Sequence, residues 1–415
     1  MHYHLLSFEG PDAYARAGGI SSRVTGMARA LAEREIDTHL WFVGDPQAPG
    51  EERSGHLTLH RWCQWISRYH PVGVYDGEDG KVDDFAHSLP PELVREHILP
   101  ALAADERVVV LAEEWHTVDA VLHLDWLLRN AGLRERVAIF WTANNVFGFD
   151  RIDWKALERA AVIATVSRYM RERMRPLGVD ALVLPNGIPA EAFVPAEGAA
   201  VDAFRRTTRG RTVLTKMARW DPDKRWLGAV ESVARLRSLG EQPLLVARGG
   251  AEAYGQQVLA RARDLGLRVA TQPLRTEGAR GLLDAVRAAR DADLLVLTSH
   301  VDPDARRLLF HASNAVLANS AHEPFGLVGL EAMAVGGLAC TGCTGEDYSI
   351  AGENAIVLQT ADPMELAREL RRLRRDPGRE RRLRRSGRET ARRFFWPRVL
   401  DRTLLPQVEL RAAAA

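Results

Sequence analysis

Cysteine, lysine and long apolar runs are what this chain of 415 residues has least of. Three cysteines cannot make a disulfide framework, which excludes a small stapled scaffold and points to a reducing compartment. No apolar run approaches the roughly 18–20 residues that span a bilayer; the strongest lies near 108–112. Met1-His2-Tyr3-His4-Leu5 offers no basic stretch ahead of an apolar core, so no secretory signal is expected. Net charge is scarce too, at +1, which argues against a nucleic-acid binder as a whole. The 46% apolar share excludes disorder, and 33 glycines and 20 prolines without a period exclude a collagen-like chain. The expectation is a cytoplasmic globular protein, long enough for two or three domains of about 100–200 residues.

The neutrality hides two asymmetries. Lys81, Lys155, Lys216 and Lys224 are the only lysines among 56 basic residues, so each stands out against an arginine background. The segment 368–393 carries 13 arginines against Glu369, Asp376, Glu380 and Glu389, a net +9 that leaves −8 on the remainder.

Apolar spacing alternates between strand-like and helix-like periods. A strand is predicted at 3–8, followed by Gly18-Gly19 and a helix with Val24, Met27, Ala28 and Leu31 on one face. Further strands are expected at 38–43, 108–112, 137–141, 161–166 and 181–184. Pro185-Asn186-Gly187, Pro189, Pro195, Gly198 and Gly210 interrupt the pattern. Strands resume at 212–218, 243–248, 293–297, 315–318 and 339–341, with helices near 227–239 and 255–265 and another beginning near Pro324. This alternation specifies an α/β chain with two Rossmann-like, doubly wound parallel-sheet domains facing across a cleft. The expected boundaries are 1–190, a linker over 191–211, a second domain over 212–395, and a C-terminal helix over 396–415 that crosses back to the first. Ligands of such sheets bind at the carboxyl ends of the strands.

Ser320-Ala-His-Glu-Pro-Phe-Gly-Leu-Val-Gly-Leu-Glu-Ala-Met-Ala334 is the most informative stretch. Glu323 falls in a loop after a strand. Glu331 falls inside a helix among Leu327, Val328, Leu330 and Met333, where a carboxylate either finds a way to solvent or needs a hydrogen-bond partner. Lys216-Met-Ala-Arg219-Trp-Asp-Pro-Asp-Lys224 follows the first strand of the second domain. Arg219 and Lys224 are either solvated surface charges or a pair of cations at the mouth of that strand, and the presence of two of the four lysines favours the second reading. His116, in Leu111-Ala-Glu-Glu-Trp-His116-Thr, ends another strand and is either a structural histidine or one that faces the crevice.

Two glutamates separated by seven residues, with Pro-Phe-Gly-Leu after the first and Ala-Met-Ala after the second, resemble the signature of family 4 (group 1) retaining glycosyltransferases. These are nucleotide-sugar enzymes of the GT-B fold. The resemblance implies that Glu323 contacts the donor sugar near its reacting carbon and that Glu331 accepts hydrogen bonds from the ribose. The amides of Phe325, Gly326 and Leu327 would face the donor at a helix N-terminus, a suitable place for negative charge. Arg219 and Lys224 would neutralise the diphosphate. The stretch ending in His116 is similar to a loop of glycogen-synthase-like relatives whose last histidine contacts the transferred sugar, but Glu113-Glu114 departs from that loop. Gly18 and Gly19 resemble the glycine pair that approaches the phosphates, and Ser299 and His300, after a strand, are expected to border the base. Phe394-Phe-Trp-Pro-Arg-Val399 is similar to the start of the family's last helix.

The expected function is transfer of a hexose, glucose or mannose, with retention, from a nucleotide-diphosphate sugar to a hydroxyl acceptor. UDP-glucose or GDP-mannose would serve as donor, with UDP favoured; the acceptor would be a saccharide, a small molecule or a lipid-linked species. No cofactor and no metal are expected, because two cations on the diphosphate make a metal redundant. The Asp-x-Asp strings at 221, 291 and 302 are accordingly assigned to turns and caps, and Cys340-Thr-Gly-Cys343 to a backbone loop rather than a metal site. Trp62, Trp65 and Tyr69 share a helical spacing, and such a stripe either joins the core or lines an acceptor groove. The 368–393 arginines, with Leu366, Leu370 and Leu373 on one helical face, are either a solvated surface or a contact with anionic lipid headgroups. A sugar phosphorylase or nucleotide-sugar epimerase fits the same fold. A nicotinamide dehydrogenase is disfavoured because no G-x-G-x-x-G follows a strand, and a silent sugar- or lipid-binding module because every chemical residue is in place.

Overall fold

The computed structural model describes residues 1–412. They form two compact units, Met1–Gly187 together with the chain from Phe394 onward, and Ile188–Arg393.

The first unit is built on β1 (His2–Leu6), β2 (Asp37–Val43), β3 (Glu51–Ser54), β4 (Leu57–Trp62), β5 (Val108–Glu113), β6 (Val137–Ala143), β7 (Val162–Thr165) and β8 (Leu182–Val183). They lie in the order β3-β4-β2-β1-β5-β6-β7-β8, all parallel except β3 against β4. β5 is buried along its whole length, as a strand covered on both faces must be, which is why it reads as an unbroken apolar run. β3 reads Glu-Glu-Arg-Ser and is exposed throughout, a charged edge that discourages pairing with another chain. Neither β3 nor β4 carries the apolar run that announces a buried strand, and both escape a reading by hydrophobic pattern.

The helix Gly19–Ala32 lays Val24, Met27, Ala28 and Leu31 on Leu5, Leu40, Val109 and Leu111. Trp396, Val399, Leu400 and Leu404, from the returning C-terminal segment, complete the same core. The Trp396 ring sits so close that a Cβ at Gly26 or at Gly187 would fall 2.2 or 2.4 Å from it. Only glycine admits that approach.

One ion pair crosses this core. Arg23 and Glu113 are 2% and 1% exposed and 3.0 Å apart. Arg23 also donates to the carbonyl of Leu184 and to Asn186 Oδ1, and Asn144 Nδ2 donates to Glu113 at 2.6 Å. Burial still pushes the Glu113 carboxyl up from its ordinary range, against the pull of Arg23 and Asn144.

The second unit has β9 (Thr212–Met217), β10 (Pro243–Arg248), β11 (Val269–Gln272), β12 (Leu294–Leu297), β13 (Ala315–Ala318), β14 (Ala339–Thr341) and β15 (Ile356–Val357). Their order is β11-β12-β10-β9-β13-β14-β15, all parallel. Leu214, Leu245, Leu294 and Leu317 meet Trp226, Val230, Val233 and Leu366 in its core.

Three expectations change here. The stretch 191–211 is not a free linker: Gly198–Thr207 is a helix of the second unit that buries Ala200, Val201 and Phe204, and the glycines and prolines around it punctuate its ends. The units part after Gly187 rather than 190, and the return begins at Phe394 rather than 396. Trp62, Trp65 and Tyr69 do not share a helix, because Trp62 ends β4 and Cys63 turns the chain through a left-handed conformation before the four-residue helix at Gln64–Ser67.

The arginine-rich segment forms the helices Pro363–Arg375 and Pro377–Arg393. Leu366, Leu370, Leu373 and Leu383 are buried in the core, so the apolar face is already covered. Arg384 turns inward to the carbonyls of His311, Ser313 and Gly336, and Glu369, Asp376 and Glu380 pair with neighbouring arginines. Among the described residues no helix is long and apolar enough to cross a membrane.

Removing one member of a buried pair leaves the other charge without a partner, at a cost of about 3–5 kcal/mol. Arg23→Met is therefore expected to lower the unfolding free energy by that amount in urea denaturation, and Arg23→Met with Glu113→Gln to recover part of it. A loss below about 1 kcal/mol, the value of an exposed pair, would show that the pair does not hold the core.

Candidate functional site

In each sheet the strand order reverses beside the first strand of the unit: β1 lies between β2 and β5, and β9 between β10 and β13. The loops that leave the carboxyl ends of β1, β5, β9 and β13 therefore flank the switch points, where open α/β sheets bind ligands. Every sequence-predicted chemical residue except Ser299 and His300 lies on one of these loops or in the helix it opens into.

In the second unit, the loop after β9 is stitched to the loop after β13. Ala321 N donates to the Asp223 carbonyl at 2.7 Å, His322 N to Asp223 Oδ1 at 3.1 Å, and Lys224 Nζ to Glu323 Oε2 at 3.1 Å. Ser320 Oγ donates to the same Glu323 oxygen at 2.8 Å, and Glu323 N to Thr344 Oγ1 at 2.9 Å. Lys224 and Glu323 are thus brought together, each partly open to solvent. Arg219 is exposed, and its backbone carbonyl is fixed by Trp226 Nε1 at 2.7 Å. Lys216, the other lysine of this stretch, is buried; its Nζ reaches the Leu317 carbonyl and Asn319 Oδ1 and lies 5.4 Å from the Trp226 ring centre. Burial pushes it down to about 7.

The helix predicted from Pro324 begins at Leu327, with Gly326 as its cap at φ +85°. Phe325 is buried, and Tyr348 OH donates to the Gly326 carbonyl. Gly345 is a second obligate glycine: a Cβ there would fall 2.1 Å from the Pro324 carbonyl and 2.3 Å from that of Glu323. Glu331, four residues into the helix, is partly exposed and 3.2 Å from Arg306, and burial raises its carboxyl despite that cation. Ser299 follows β12; its hydroxyl accepts from Leu274 N and its carbonyl from Arg248, while His300 is exposed beside it. The structure shows no bond from either to Glu323 or Lys224.

Glu346 went unnoticed in the sequence. It is buried, and it accepts from Gly342 N at 3.2 Å, Thr344 N at 3.1 Å and Thr344 Oγ1 at 3.2 Å. Its carboxylate occupies the amides of the Gly342–Gly345 loop. Burial pushes it up to about 7, helped by the charge of Glu323. Cys340 and Cys343 are free thiols, one buried and one exposed. Asp221 and Asp302 cap the turns that follow them.

In the first unit, Gly18 caps the helix Gly19–Ala32, and Glu9 fills its N-terminus: Oε2 accepts from Gly18 N at 2.9 Å and Ser21 N at 3.1 Å. Glu9 Oε1 accepts from Tyr75 OH at 2.6 Å. The loop carrying Tyr75 is gathered by the buried Lys81, whose ammonium donates to the carbonyls of Gly73, Val74 and Asp76 and to Tyr14 OH. His116 is 5% exposed, stacked 4.3 Å from Phe8 and 4.0 Å from Trp115, with Nε2 at 2.8 Å from Glu78. Its Nδ1 is buried without a hydrogen-bond partner, and burial lowers its basicity. Glu114 holds φ +70° and accepts from Asn144 N and Asn145 N, while burial pushes it up to about 8. The departure at 113 and 114 is thus a structural pair, one binding Arg23 and the other binding the loop after β6.

Two family models match the chain: Glycosyltransferase Family 4 over residues 17–192 and Glycosyl transferases group 1 over residues 203–390. No curated protein sequence gives a significant match. Among solved structures, sucrose-phosphate synthase from Thermosynechococcus elongatus is similar over 100% of this chain and 99% of its own, at 19% identity and a TM-score of 0.67. The Anabaena protein HepE in complex with UDP is similar over 100% of both chains at 14% identity and 0.65. The catalytic domain of starch synthase IV from Arabidopsis thaliana, bound to ADP and acarbose, is similar over 97% of this chain and 99% of its own at 14% identity and 0.66. Likeness at these identities is one of fold.

Glu346 gives a pH test. Its native pKa of about 7 lies above the ordinary 4.5, so its contribution to stability is fully present below pH 4.5 and is lost as pH rises towards 7. The loss is at most about 3 kcal/mol. Glu346→Gln cannot ionise, so its stability relative to the parent is expected to rise between pH 5 and pH 8 in parallel urea titrations. Parallel curves across that range would assign Glu346 an ordinary pKa.

Proposed function

The chain belongs to the group 1 glycosyltransferases, with two Rossmann-like domains of the GT-B fold, and on that premise we propose that it moves a hexose, with retention and without a metal, from a nucleotide-diphosphate sugar to a hydroxyl acceptor. The observation that carries this reading is the Lys224–Glu323 pair at the β9/β13 switch point. A leaving diphosphate gains negative charge as the glycosidic bond breaks, and the anomeric carbon gains positive charge. Lys224 and Arg219 are cations for the first, and Glu323 is a carboxylate for the second. A cation at hydrogen-bonding distance is worth several kcal/mol even in a partly solvated site. Glu331 is assigned to the ribose, the amides of Phe325, Gly326 and Leu327 to the donor, and Ser299 and His300 to the base. In the first domain, His116 is assigned to the transferred sugar and Gly18-Gly19 to the phosphates; the orphaned Nδ1 of His116 supports the former. Glucose or mannose is the sugar we favour and UDP the nucleotide; the solved relatives include one with UDP and one with ADP, so the base is put to test.

The acceptor reading rests on aromatic rings. Trp65 is 60% exposed with Nε1 donating to Asp84, and Tyr69 is 79% exposed, so neither serves a core. Tyr75 lies 5.6 Å from His116, ring to ring. Flat exposed faces of this kind suit stacking on a saccharide acceptor.

Thermal-shift and product assays with UDP-, GDP- and ADP-sugars identify the donor. Lys224→Ala is expected to lower kcat about 100–1,000-fold, the effect of removing one preorganised charge-stabilising donor, with little change in melting temperature. Activity is expected to persist in EDTA, and an absolute need for a divalent ion would overturn the metal-free step. Donor consumption without an acceptor, or only with phosphate, would favour an epimerase or a phosphorylase. Trp65→Ala is expected to raise the acceptor KM while donor binding stays constant; an unchanged acceptor KM would remove Trp65 from that site.

A further inference from the structure

The first unit carries a cluster that the transfer reaction does not use. β1 and β2 are paired in parallel register, His2 beside Asp37 and His4 beside His39, so these four side chains emerge on one face of the sheet. His2 Nδ1 lies 2.9 Å from Asp37 Oδ2, and His39 Nε2 lies 3.2 Å from the same oxygen. Ligand-type atoms of His2, Asp37 and His39 all fall within 4.8 Å of one another. We propose that His2, Asp37 and His39 form a binding site for one divalent transition-metal ion, best matched by Zn²⁺.

Four features support a metal ion over a set of mutual hydrogen bonds. The donor set is two imidazoles and a carboxylate, the chemistry of zinc and its neighbours rather than of Mg²⁺ or Ca²⁺. Tetrahedral zinc with bonds of about 2.0–2.2 Å holds its ligand atoms roughly 3.3–3.5 Å apart, so the two observed contacts to Asp37 need to open by only a few tenths of an ångström. The second nitrogen of each imidazole is already engaged: His2 Nε2 on Glu106, and His39 Nδ1 on His60 Nε2 at 2.9 Å. Metal-bound histidines are held in this way, with the far N–H fixed by a carboxylate or another acceptor. Finally, the polar inventory is unfinished. Asp37 Oδ1 is buried without a hydrogen bond, its nearest cation being the exposed Arg53 at 3.5 Å. His4 Nε2, in the ring stacked 4.7 Å from His39, is buried without a partner as well.

The site lies at the amino ends of β1 and β2, whereas Glu9, Gly18 and His116 follow the carboxyl ends of β1 and β5. The ion would pin two central strands without meeting the reacting groups. Three protein ligands leave one position for water. Chelation is therefore expected to lower the melting temperature while leaving the transfer rate below that temperature unchanged.

The test is a Zn²⁺ titration of the chelator-stripped full chain, in competition with a chromophoric zinc indicator. The expected result is one tight equivalent per chain and a rise in melting temperature on loading. His2→Gln, at a partly exposed position, is expected to abolish both while leaving the melting temperature of the stripped protein unchanged. Glu106→Gln, which meets His2 at its far nitrogen and also pairs with the amine of Met1, is expected to weaken binding about 10–100-fold. Asp37→Asn serves as a second ligand variant. No stoichiometric binding by the parent chain, or equal binding by the parent and His2→Gln, would overturn the site.

Discussion

A parallel strand buried on both faces has nowhere along its length for an unpartnered charge. Both sheets obey this constraint, and it decides where the chemistry can be. Charges collect where strands end. Glu113 is the last residue of β5, and Lys216 the last but one of β9. Each is held by neighbouring groups: Glu113 by Arg23 of the helix Gly19–Ala32 and by Asn144 just past β6, Lys216 by Leu317 and Asn319 at the end of β13. These anchors fix the loops that carry the exposed cations and carboxylates, so the rigidity of the site is inherited from the core beneath it.

Two sets of backbone amides, at the helix opened by Gly18 and in the loop of Gly342, are filled by the chain's own carboxylates, Glu9 and Glu346. A buried amide without a partner is costly, and these carboxylates supply that partner. Glu346 does so at a cost to itself, since burial and Glu323 both oppose its ionisation. The same carboxylate keeps the amides pointed in one direction.

Much of this was legible in sequence, for identifiable reasons. Fully buried strands such as β5 and β10 announce themselves by composition, and the Glu323–Glu331 signature resembles a known family over a stretch too long to be chance. β3 and β4 were illegible because β3 is an exposed charged edge and β4 buries its polar Thr58 and His60 more deeply than its alternating Leu57 and Leu59. Glu9 and Glu346 were missed because a carboxylate bound to backbone amides has no sequence signal beyond being acidic. The aromatic stripe misled because equal spacing along the chain implies a shared face only within one element, and Cys63 breaks that element. The helix at Gly198–Thr207 was hidden by the prolines and glycines at its borders.

The near absence of lysine has a consequence for how this molecule responds to alkali. Of the four lysines, Lys81 and Lys216 are buried and Lys224 is paired with Glu323, which leaves Lys155 as the exposed one. Every other basic side chain among the 56 is an arginine, which does not lose its proton in any ordinary buffer. Tyr3, Tyr75 and Tyr348 are each held above the usual phenol range by burial. From neutral pH into the alkaline range the surface therefore keeps nearly all of its positive charge. Its electrostatic field behaves as a fixed property of the fold rather than a variable of the medium.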